Sequence, residues 1–121
     1  MSIYVNNDEY SGSVDQLLAA WQTKTGENFL TLNTSGTTGH AKTVSHSRDT
    51  IEQVVESNIR VLNLSRSSRI VSLYSPRGIA FTTLSLYIAE RLGCELYIEP
   101  FTGLGYVDRL NELQPTHTLI L

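Results

Sequence analysis

The stretch Phe29-Leu-Thr-Leu-Asn-Thr34-Ser-Gly36-Thr-Thr-Gly39-His-Ala-Lys42-Thr-Val-Ser-His46 decides how this chain is read. An apolar, β-leaning run from Phe29 to Leu32 breaks into small residues from Thr34 to Gly39, and a lysine follows three positions later. Gly36 and Gly39 allow positive φ and place no side chain in a ligand's path. Successive backbone N–H groups in such a turn can form an anion-binding nest, with the hydroxyls of Thr34, Ser35, Thr37 and Thr38 as further donors. Lys42 adds a point charge suited to a phosphate. The stretch is not a Walker loop, which needs glycine immediately before its lysine; Ala41 stands there. The same composition also fits a flexible Ser/Thr/Gly connection between two elements.

Composition bounds the rest. A chain of 121 residues makes one domain with room for a core. A net charge of −3 and the lack of any basic block leave a nucleic-acid partner without an electrostatic footprint. The single cysteine, Cys94, cannot form an internal disulfide. A reduced, cytoplasmic setting is the simplest expectation, with Cys94 a small core residue and not a nucleophile. Neither a signal pattern nor an apolar run long enough to span a membrane is present, so no membrane partner is expected.

Working outward, residues 3–5 read as a short strand. Ser13 with Gln16 fits a capping box for a helix over about 13–22, whose stripe includes Leu17, Leu18 and Trp21. At that spacing Trp21 reads as core, although its ring could also serve as a base-stacking platform. Beyond the central stretch, Thr43–Ser45 is a brief extended piece. A helix follows over 48–63, capped by Asp49 with Glu52 or by the competing Ser47, and burying Ile51, Val54, Val55, Ile59 and Leu62 on one stripe. A strand over 69–74, an apolar helix over 79–92 stopped by Gly93, and a strand over 95–98 come next. A short helix over 106–113 and a strand over 117–121 complete the series. This alternation predicts a three-layer αβα domain with a mostly parallel sheet. In such sheets ligands bind at the carboxyl ends of strands, where the Thr34–Gly39 turn is expected to emerge.

At Thr34-Ser-Gly-Thr-Thr-Gly39-x-x-Lys42 the chain resembles the adenylate-forming (ANL) superfamily, which includes acyl-CoA synthetases, luciferases and peptide-synthetase adenylation domains. The family signature runs T-S-G-[ST]-T-G-x-P-K-G; here Ala41 takes the proline's place and Thr43 the last glycine's. The likeness extends through Ser68-Arg-Ile-Val-Ser-Leu-Tyr-Ser-Pro76, Leu92-Gly-Cys-Glu-Leu-Tyr-Ile98 and Leu113-Gln-Pro-Thr-His-Thr118, and so over about residues 28–121, with 1–27 as a lead-in. It implies ATP or AMP binding, with Mg2+, through Thr34, Ser35, Gly36, Thr37, Thr38, Gly39 and Lys42. It implies no catalytic or metal-ligating residue in this stretch. Ile79 stands where the family usually places a histidine near the acyl pocket. The family's adenine, ribose and magnesium motifs and its catalytic lysine lie beyond the matched part.

Solo catalysis is therefore not expected, and three readings stay open. They are a nucleotide-binding module, part of a split or longer carboxylate-activating ligase completed by another chain, and a non-catalytic interaction protein that self-associates. Of the remaining candidates, His40 and Arg77 read as exposed loop residues. His46 reads as a hydrogen-bonding group at the helix entrance, and His117 as structural. A sheet ending on Thr118–Leu121 exposes an edge, so a homodimer or a complementing ligase fragment is the expected partner.

Overall fold

A computed structural model describes residues 2–6, 8–35, 41–76, 79–100 and 105–120. In chain order the elements are β1 (Ser2–Val5), a 3-10 turn (Asp8–Tyr10), α1 (Ser11–Thr23), β2 (Leu30–Ser35), β3 (Ala41–His46) and α2 (Arg48–Val61). There follow β4 (Arg69–Ser72), α3 (Ile79–Phe81), a π-helical stretch (Thr82–Leu86), α4 (Tyr87–Leu92), β5 (Glu95–Ile98), α5 (Gly105–Leu113) and β6 (His117–Leu119).

The alternating side chains of β4 and β5 need cover on both faces, and a parallel sheet supplies it. The strands run in the order β1-β5-β4-β6, every pair parallel, with Ile3 and Ile70 both opposite Leu96. On one face Ile70, Leu96 and Ile98 join Val14, Ile51, Val55, Phe81 and Leu86 in a single core. On the other, Val71 lies fully buried, and Tyr106 and Leu110 of α5 line a cavity with it. Helices thus cover both faces, as the three-layer reading requires.

Local chemistry sets the element ends. At α2 the competing cap wins: Ser47 Oγ accepts from the Thr50 N–H at 3.1 Å. The helix stops at Val61, two residues early, because Asn63 turns to φ 53°. Val54, expected on the buried stripe, is exposed, since Ile51, Val55 and Ile59 hold the centre of that face and Val54 sits on its flank. The 3-10 turn runs straight into α1, which begins at Ser11, so Ser13 lies inside the first turn and does not cap it. Gly93 ends α4 in the left-handed region at φ 71°, as expected of a helix terminator.

The apolar helix over 79–92 is present, with a widened middle. Thr82 and Thr83 hydroxyls both donate to the Ile79 carbonyl, and Ser85 Oγ donates to that of Phe81. Such back-bonding competes with the regular ladder. From α2, Asn58 Nδ2 donates to the Thr83 carbonyl at 2.9 Å, satisfying an acceptor inside the widened turn.

The chief departure concerns the central stretch. Leu30–Ser35 is not a strand of the parallel sheet: β2 pairs only with β3, antiparallel, from Leu30 opposite His46 to Ser35 opposite Ala41. The connection from Ser35 to Ala41 is too short for a parallel crossover, which takes a dozen or more residues, so the chain returns on itself. The brief extended piece at Thr43–Ser45 is the middle of that returning strand.

Side chains fasten this ribbon to the domain. Phe29 and Leu30 are buried at its base. Trp21 stacks on Tyr87 at 4.5 Å between ring centres and meets Phe29 edge-on, the core role expected of it. The Arg48 guanidinium lies 4.1 Å from the Trp21 ring centre and 4.8 Å from that of Phe29. It donates to the carbonyls of Trp21 and Lys24 and to Glu52 at 3.1 Å. The Arg48 N–H donates to the Gly26 carbonyl at 2.9 Å.

Two outcomes follow. Arg48→Lys keeps the charge but loses the planar stack and the fork of donors, and should destabilise the domain by about 2 kcal/mol or more in urea unfolding. Tyr87 donates its hydroxyl to the Leu17 carbonyl at 3.1 Å, and burial pushes that hydroxyl up to about 12. Because the folded value lies above the ordinary 10.0, the stability this group contributes is intact below pH about 10 and lost as pH rises towards 12. The stability gap between wild type and Tyr87→Phe should therefore narrow across pH 10–12; a constant gap would show that Tyr87 does not titrate late.

Candidate functional site

Of the residues singled out from the sequence for phosphate binding, the structure describes Thr34, Ser35 and Lys42, and the hairpin sets these at one end. Thr34 and Ser35 close β2, and Lys42 lies directly opposite Thr34 on β3. Residues Gly36, Thr37, Thr38 and Gly39, with His40, lie outside the described residues. Lys42 is exposed. Antiparallel pairing up to Ser35 and Ala41 fixes the separation of the two chain ends that bound the turn. The register therefore sets the hydroxyl-bearing start of the turn beside the lysine-bearing return, on two strands and not at a strand-to-helix junction. Farther down the ribbon, Thr31 Oγ1 and Ser45 Oγ share a hydrogen bond of 3.0 Å. His46 sits at the foot, opposite Leu30, one residue from the cap of α2.

Beside the ribbon's foot lies an open cleft of about 610 Å3, between α1 and the start of β2. Leu17, Ala20 and Phe29 give its apolar part, Gln16, Lys24 and Asn28 its polar part, and Pro76 borders it from the end of β4. The cleft meets β2 at its foot, the end of the strand away from the turn.

Other candidates settle into structural roles. His117 Nε2 lies 2.8 Å from the Leu62 carbonyl and Nδ1 2.9 Å from Thr116 Oγ1, so both ring nitrogens are engaged. Cys94 is buried and burial pushes its thiol up, which disfavours the thiolate. Arg77 lies outside the described residues. Among the described residues no group of three or more His, Cys, Asp or Glu is placed to hold a metal. No helix among them is long and apolar enough to cross a membrane.

Two residues that the sequence reading passed over carry weight here. Arg48 immediately follows the helix cap, where periodicity gives no reason to single it out. Glu99 is 3% exposed at the carboxyl end of β5. Its one sequence signal is an acidic residue closing an apolar strand just before Pro100.

No family model matches the chain, and no curated protein matches it. Solved structures do. The chain is similar to a multidomain adenylation, ketoreductase and pseudo Asub structure of a keto acid-selecting NRPS module, with TM-score 0.70 and 16% identity over 96% of this chain. It is also similar to an acyl-CoA synthetase (AMP-forming)/AMP-acid ligase II-like protein from Dyadobacter fermentans, with TM-score 0.59 and 20% identity over 78% of this chain. It spans 12% of the first of those chains and 26% of the second. In fold this chain is thus similar to a part of each of these two adenylating proteins.

Proposed function

We propose that this chain binds the polyphosphate of ATP through the turn of the β2–β3 hairpin, using Thr34, Ser35, Gly36, Thr37, Thr38, Gly39 and Lys42. The observation that supports this reading is the cross-strand pairing of Thr34 with Lys42, which brings the first residue of the hydroxyl-rich segment level with the lysine that follows it. Backbone N–H groups and hydroxyls of the turn would take the phosphate oxygens, and Lys42 would offset their charge. The likeness in fold to an NRPS adenylation module and to an AMP-forming acyl-CoA synthetase supports a nucleotide over a simpler anion. Mg2+ would arrive with the nucleotide: it keeps several waters and binds largely through phosphates, so it needs few protein ligands.

A second reading is favoured by the small share of the similar chains that this one spans. In it the chain is one piece of a carboxylate-activating ligase, and a further chain supplies the groups that act on the α-phosphate. Copurification with a downstream adenylation fragment supports that reading. A second copy of this chain could instead cover the open edge of β6, and a monomer by light scattering at about tens of micromolar would exclude that.

The principal test is calorimetric titration with ATP and Mg2+, run beside a Lys42→Ala, Thr37→Ala double variant. Saturable heat in the wild type, lost in a variant that melts at the same temperature, is the expected result. No heat and no shift in melting up to about 1 mM ATP would set any affinity weaker than about 4 kcal/mol and end the phosphate reading.

A further inference from the structure

A second site is built at the carboxyl edge of the parallel sheet, on elements to which the hairpin contributes nothing. Glu99 follows the last residue of β5, and its backbone N–H donates to the Ser72 carbonyl at 3.0 Å. Its side chain is held almost wholly out of water. Oε1 accepts from Arg109 Nε of α5. Arg109 Nη1 also donates to Glu112 Oε2 at 3.1 Å, so one guanidinium serves two carboxylates. Glu99 Oε2 is buried and has no hydrogen-bond partner among the described residues.

Beside this carboxylate lies a cavity of about 180 Å3. Its walls come from the ends of three parallel strands and from α5, through Asn6, Val71, Leu73, Glu99, Arg109 and Leu110. A pin for α5 accounts for Oε1 and for Arg109. It leaves Oε2 and the cavity unexplained, and an apolar pair of similar volume would hold the helix as well or better. A buried carboxylate oxygen without a donor is costly, and proteins pair such groups with protein atoms, water or a ligand.

We infer that this cavity binds a small primary amine with an apolar body, its ammonium donating to Glu99 Oε2. The orphan atom selects the ligand's polar group: Oε2 is a carboxylate oxygen, and an ammonium gives it a shorter, stronger charge-assisted bond than a neutral donor does. The walls select an apolar body, since Val71, Leu73 and Leu110 form most of the lining beyond the polar end. Size selects a small one, for a dry apolar cavity of about 150 Å3 accepts benzene. The position fits too, because open parallel sheets hold ligands outside the carboxyl ends of their strands.

The test is a titration of the whole chain, labelled with 15N, with benzylamine and separately with benzyl alcohol, its neutral counterpart. Benzylamine should give saturable shifts of the Leu73, Glu99 and Leu110 amides below about 20 mM, the range for a ligand of about eight heavy atoms. Benzyl alcohol, and benzylamine on Glu99→Gln, should bind about tenfold or more weakly. Leu110→Phe, which narrows the cavity without touching the ion pair, should abolish binding and keep the wild-type spectrum elsewhere. The inference is overturned if the wild type shows no saturable shifts at those amides, or if amine and alcohol bind alike. It is also overturned if a folded Leu110→Phe binds benzylamine as the wild type does, which decides the matter should Glu99→Gln not fold. A crystal structure grown with benzylamine that holds only an ordered water at Oε2 would overturn it as well.

Discussion

The position of the β2–β3 ribbon depends on one cluster of side chains. No backbone ladder joins the ribbon to the four-stranded sheet, and an isolated two-stranded hairpin is marginal in water. Burial of Phe29 and Leu30 and the stack of Trp21 on Tyr87 supply the apolar part of the attachment. Arg48 supplies the polar part, because its guanidinium meets two rings on its faces and two carbonyls and a carboxylate on its edge. An arginine suits that place because a planar fork satisfies both kinds of neighbour at once.

The same cluster reaches into the buried helical segment, since Tyr87 opens α4 just after the π-helical stretch. Hydroxyls at Thr82, Thr83 and Ser85 draw carbonyls away from the regular ladder in the middle of a buried helix, where a free acceptor would be costly. Asn58 from α2 and the hydroxyl bonds to the Ile79 and Phe81 carbonyls meet that demand. Three polar side chains therefore sit in an apolar layer without loss of satisfaction, and α2 gains a directional tie to the helix beside it.

Much of this architecture is legible from the residues. Periodicity and capping chemistry locate α2, the helix over 79–92 and β5 because each buries a face whose spacing is set by its own geometry. Gly93 and Ser47 are readable because a left-handed turn and an N-cap have few chemical solutions. Pairing partners are harder. The run from Phe29 to Leu32 reads as a strand from its own residues, but its continuation through Thr34 and Ser35 comes from pairing with β3. Its place beside the main sheet is settled by the length of its return and by the contacts of Phe29 with Trp21 and Arg48. Those contacts lie far from it in sequence or outside any periodic pattern. At the turn the residue types are plain in the sequence, and the pairing of Thr34 with Lys42 comes from the structure. Glu99 escaped for a related reason: its burial is created by α5, whose own sequence shows only an amphipathic stripe.

The strand order has a consequence for how the chain acquires its shape. β1 pairs with β5, so it finds its partner only after every element between the two has been synthesised. By contrast β2 meets β3 at once, and β4 meets β5 across a single helical segment. Loop-closure entropy disfavours the distant pairing until the intervening helices have condensed. β1 should therefore dock late, onto a sheet edge already formed by β5. During synthesis that edge stands open for a time, with Tyr97 waiting for the stacked ring of Tyr4.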